Sequence, residues 1–120
     1  MICGVGMERW KLKRTRQCEK CPWRKATNPH EIPNGYTVER HKALAQTIAI
    51  EGDLGPFLRG EPMPVMACHE TQDGHCIGWL VHQAGPGNNL HLRISLMFCD
   101  NAKAIRLRGP QHETFEDTLP

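Results

Sequence analysis

Bulky apolar side chains are scarce in this 120-residue chain. Val, Ile, Leu and Phe number only 24 (4, 7, 10 and 3), set against 11 Gly and 9 Pro. That is the range in which a chain struggles to bury a core, and a chemical staple is expected to supplement the packing. No stretch approaches the ~18 consecutive apolar residues of a membrane span. Met1 to Gly6 is too short for the apolar region of a secretory signal, and the basic run follows it. No phosphate-binding loop, dinucleotide fingerprint or hydrolase elbow is present. The His-x-Glu … Pro-Cys-x2-Cys arrangement of the zinc deaminases is missing too. A non-enzymatic, single-domain protein of a reducing cytoplasm is therefore expected.

Cysteine, by contrast, is plentiful, and it is clustered. Cys18-Glu-Lys-Cys21 runs straight into Pro22-Trp23-Arg24. Far along the chain, Cys68-His69 is answered by His75-Cys76, with Gly78-Trp79 behind it. A Cys-x2-Cys turn brings two sulfurs to one ion, and a distant second pair completes a tetrahedron. Cys18, Cys21, Cys68 and Cys76 are thus the expected ligands of a structural zinc. The ion would close the intervening chain into a loop. A [4Fe–4S] cluster takes the same four thiolates and is the alternative cofactor. His69 and His75 are alternative ligands, although each adjoins a cysteine, which suits them better to orienting a thiolate than to binding. Cys3 is read as an exposed terminal thiol and Cys99 as a core residue. A dithiol redox centre at Cys18/Cys21 finds no βαβ pattern around it.

Charge is uneven behind a net +2. Arg9, Lys11, Lys13, Arg14, Arg16, Lys20, Arg24 and Lys25 are eight of the 15 basic residues, opposed within their window by Glu19 alone. Such a segment suits phosphate or an acidic protein surface. Its expected contact residues are Arg9, Lys11, Lys13, Arg14, Arg16, Trp23, Arg24 and Lys25.

The expected fold is small and mainly α, with irregular loops and room for a short strand pair, stabilised by the four-cysteine metal site. Residues 1–17 read as a basic arm with little core of its own, 18–108 as the metal-stabilised domain, and 109–120 as a frayed polar tail. The clearest helix spans about 38–51. Thr37 is its N-cap, and Gly52 stands where a C-cap glycine belongs. The Gly/Pro-rich stretch 53–64 reads as a connection pinned by Phe57 and Leu58. A second helix is expected from about His75 to Gln83. Residues 90–98 fit both an alternating strand and a helical stripe, and Asn88 or Asn89 as a cap favours the helix.

Taken together, Cys18-x2-Cys21-Pro22-Trp23-Arg24, Met66-Ala67-Cys68-His69, and Cys76-x-Gly78-Trp79-Leu80 followed by Arg93 form a pattern. It resembles an uncharacterised family of small proteins of bacteriophages and actinobacteria, over residues 18–96. The resemblance implies a metal-binding phage or bacterial protein and carries no activity with it. It also marks Arg24, His69, Gly78 and Trp79. The expected compartment is the cytoplasm, that of the host if phage-encoded. A fainter similarity is to the iron–sulfur transcription regulators of actinobacteria, whose closer spacing of the remaining cysteines is lacking here. The expected function is macromolecular binding, with nucleic acid slightly favoured. The alternatives are a small inhibitor of a host defence system, and an iron–sulfur or dithiol redox protein.

Overall fold

The computed structural model describes residues 8–70 and 74–120; the expectation for Cys3 lies outside them. Among the described residues the regular structure is helical: α1 (Val38–Ala43), α2 (Gly55–Leu58), α3 (Ile77–Ala84), α4 (Leu90–Leu96) and α5 (Phe115–Thr118), with short 3-10 turns and irregular loops between them. No sheet forms among these residues. The expected strand pair is replaced by four isolated bridges: Trp10–Cys99, Arg16–Arg106, Arg24–Gln111 and Ala67–His75.

The Thr37 side chain accepts the Arg40 N–H and starts α1 as expected, but the α-helix stops at Ala43 and tightens into a 3-10 turn over Leu44–Thr47. Competing partners explain the stop. The Thr47 hydroxyl donates to the Leu44 carbonyl, and the Thr47 carbonyl accepts the Trp79 indole N–H. The Ala49 N–H is captured by the Gln83 side chain. Backbone groups engaged elsewhere cannot continue a helical ladder. Gly52, at φ +74°, donates its N–H to the Asn88 carbonyl and closes a loop instead of capping a helix.

Helix α3 buries Ile77, Gly78, Trp79, Leu80 and Gln83. Its neighbour α4 begins where the Asn89 side chain accepts the Leu92 N–H, so residues 90–96 are helix and not strand. The connection 53–64 contains α2, and Phe57 meets the His91 ring edge-on. Leu58, expected to pin it, is 69% exposed.

Both chain ends depart from expectation. Residues 10–17 run parallel to 98–106. Trp10 N–H donates to Phe98, Asp100 N–H to Trp10, Arg106 N–H to Thr15, and Gln17 N–H to Arg106, each to the backbone carbonyl. Leu12 is buried, with its N–H and C=O both bonded to the Asn101 side chain. The segment is therefore threaded through the fold and is not a solvated arm. At the other end, Phe115 and Thr118 are buried on α5, so the tail is not frayed. A chain this thin in apolar side chains draws Leu12 and Phe115 into its core from both ends.

Candidate metal centre and basic face

The turn that carries Cys18 and Cys21 is held by Cys21 N–H to the Cys18 carbonyl and by Arg24 N–H to the Cys21 carbonyl. The second pair is delivered by two antiparallel contacts, Cys68 N–H to Gly74 and Cys76 N–H to Met66. All four side chains are buried as free thiols. The Cys21 and Cys76 sulfurs lie 3.7 Å apart. The Cys18 thiol interacts with both Cys21 and Cys68, which links the four into a run ordered 68–18–21–76.

Hydrogen bonds from Cys18 and Cys76, aided by the Gln17 side chain, pull the Cys21 thiol down to about 3 against the effect of burial. The same bonds to Cys21 push Cys18 and Cys76 up. Cys21 is thus the thiol whose neighbours favour its ionised form. An Arg14 guanidinium N–H reaches the Cys68 sulfur at 3.7 Å. Among the described residues, no group of three or more Cys, His, Asp or Glu side chains is already set to hold a metal ion. The thiols are gathered by pairwise contacts.

His69 is half-buried, and its Nδ1 has no hydrogen-bond partner among the described residues. Burial lowers its pKa, opposed by the nearby Cys21 and Cys68. His75 faces Trp10, with ring centroids 5.5 Å apart, and burial lowers its pKa as well. Four thiols suit a closed zinc site. In tetrahedral ZnS4 with ~2.3 Å bonds the sulfurs stand about 3.8 Å apart, close to the Cys21–Cys76 separation of 3.7 Å. The donor chemistry and this one separation suit zinc, while the described side chains form no ready-made metal site.

The basic residues divide by their partners. Arg9 pairs with Asp100, and Lys20 with Glu31. Arg14 is bound to the Arg16 carbonyl and to Cys68, and Arg24 to the Arg108 and Glu19 carbonyls. Arg14 and Arg24 thus hold the fold together. Lys13 is exposed. Lys11, Arg16 and Lys25 are exposed and make no side-chain hydrogen bond or ion pair with another described residue. Trp23, expected at the contact surface, is 1% exposed and stacks on His82 at 4.5 Å. Its large ring is worth more in this thin core than in water.

Sequence reasoning missed two features. Gln17 is fully buried, and its side chain ties Arg108 and Gln111 to the knuckle. Lys103, Arg106 and Arg108 come alongside the first basic segment only through the parallel pairing. No periodicity announces either. Comparison with protein-family models, curated proteins and solved structures gave no match to this chain. Among the described residues, no helix is long and apolar enough to cross a membrane.

Proposed function

We propose that this chain is a non-enzymatic, metal-stapled binding protein of the phage or prophage accessory type, which meets the phosphates of nucleic acid with its basic segment. The observation that carries the reading is the position of the thiol run. Four buried free cysteines gather at the end of a basic segment whose Lys11, Arg16 and Lys25 stay exposed. Cys18, Cys21, Cys68 and Cys76 would hold the ion, and zinc would supply a redox-inert cross-link between the two halves of the chain. Gln17 and Arg14 donate toward sulfur and temper the charge of the thiolates. A nucleic-acid partner is favoured over an acidic protein surface by the lack of an aromatic anchor. Protein interfaces are dominated by buried Trp, Tyr and Arg hot spots, whereas every Trp, Tyr and Phe of this chain is buried or half-buried.

The test uses full-length protein purified without oxygen. Metal analysis with an absorption spectrum should give about one zinc per chain and no visible colour. Titration of labelled nucleic acid should give binding that weakens steeply with salt. A brown protein carrying iron and sulfide would replace zinc by a cluster on the same ligands. No binding to any nucleic acid at low salt would overturn the partner.

A further inference from the structure

Parallel pairing sets Arg16 directly beside Arg106. Neighbouring side chains across such a bridge point to the same side, and like charges in that position are destabilising. No carboxylate forms an ion pair with either guanidinium among the described residues; the Arg106 side chain bonds only the carbonyls of Lys103 and Ile105. Exposed Lys103 lies on the same segment as Arg106, as does Arg108, whose guanidinium donates to the Gln17 carbonyl, and exposed Lys11 lies on the same segment as Arg16. Two chain segments distant in sequence thus form two cationic rails. Two cations set side by side, with no carboxylate paired to either among the described residues, are a place where an external anion would be stabilising.

We infer that the two rails together form one site for the sugar–phosphate backbone of duplex nucleic acid, with Arg16 and Arg106 sharing a phosphate between them. This rests on the nucleic-acid reading above and narrows it to double strands. Single strands are gripped largely by stacking bases on exposed aromatic rings. All seven aromatic residues of this chain are described, and none stands fully exposed as a stacking platform: Trp23, Trp79 and Phe115 are buried, and Trp10, Tyr36, Phe57 and Phe98 are half-buried. Contacts made only by cations read charge and shape, not sequence.

The experiment is fluorescence anisotropy with a short labelled duplex DNA of mixed sequence, its single strand and the matching duplex RNA, each over a range of salt. The proteins are the parent, Arg106→Gln, Arg16→Gln and, as a control outside the rails, Lys42→Gln. Arg106→Gln and Arg16→Gln should each weaken duplex binding regardless of sequence and flatten the slope of log K against log salt by roughly one. Their melting temperatures should stay the same or rise, because a repulsion has been removed; a merely structural arginine would lower them. Lys42→Gln should behave like the parent. The DNA and RNA duplexes tell which backbone is preferred. If the parent binds duplex but Arg106→Gln keeps its slope, the second rail is wrong while the proposed function stands. Tighter binding to the single strand would overturn the duplex assignment alone. No binding of the parent to any of the three would remove both.

Discussion

Gly78 lies against Cys21 with no room for a side chain between them. A Cβ at position 78 would stand 2.8 Å from the Cys21 sulfur, 2.8 Å from the Gln17 side-chain nitrogen and 2.6 Å from the Trp23 Cβ. None of these neighbours can swing aside cheaply, since all three residues are buried. Gly78→Ala should therefore push α3 off the knuckle and cost on the order of 1–3 kcal/mol. Chemical denaturation should show a lower midpoint, and, if the knuckle holds zinc as proposed, the variant should release it to a chelator faster. An unchanged midpoint together with unchanged release would mean that the knuckle and α3 are less tightly apposed than described.

The thiols should differ sharply in their worth. If these thiols hold zinc as proposed, Cys21→Ser or Cys68→Ser should leave the chain unfolded or molten, because a lost ligand forfeits most of the ion's contribution, on the order of 10–16 kcal/mol for structural zinc. Cys99→Ser should cost much less, since Cys99 only packs at the core edge with its sulfur 3.4 Å from the Asn101 side chain. Circular dichroism and metal content of the three variants decide it. Retention of metal and melting behaviour in Cys68→Ser would move the ligand role to His69.

Leu12 offers a test of the threaded segment. It is 5% exposed within the core cluster, so Leu12→Ala should destabilise by about 2–5 kcal/mol. A solvated arm would lose almost nothing, and thermal melts of the full chain separate the two cases.

His41 should make stability fall in mild acid. Its ring is bonded to the Tyr36 hydroxyl at 2.8 Å and to the Thr118 hydroxyl at 3.0 Å. Burial, with a contribution from His69, lowers its pKa from 6.5 to about 4. The unfolded chain therefore takes up a proton that the folded chain refuses. The contribution is fully present above pH 6.5 and is lost as pH falls toward 4. One such proton sets a limiting slope of about 1.4 kcal/mol per pH unit. Denaturation across that window should show His41→Gln with a shallower pH dependence than the parent. The slope would not vanish, because burial also lowers His69, His75 and His91. A variant as steep as the parent would place the acid sensitivity elsewhere.

Local signals in the sequence were readable where local physics decides the outcome. Thr37 and Asn89 start their helices by accepting the N–H groups three residues on, and the Ile77/Leu80 spacing buries α3 as expected. The four cysteines that drew attention are all buried and linked in pairs. What could not be read were the long-range competitions. Gln83 takes the Ala49 N–H across 34 residues and ends a helix that its own stripe would have continued. Asn101 takes the Leu12 backbone across 89 residues and turns an apparent arm into a packed segment. Trp23 looked like a surface contact because it stood among basic residues, yet its ring fills core that few other side chains can supply.

The pairing of residues 10–17 with 98–106 has a consequence in time. Each of those contacts closes a loop of most of the described chain, for example 89 residues between Leu12 and Asn101. Closing so long a loop sacrifices chain entropy before any contact repays it, and folds dominated by such contacts form slowly. During synthesis, Lys11 and Arg16 emerge long before Arg106 exists to stand beside them. The pairing that sets Arg106 beside Arg16 can therefore form only after residue 106 has been made, when the cysteines of both clusters are already in the chain. A half-made copy carries the first rail without the second.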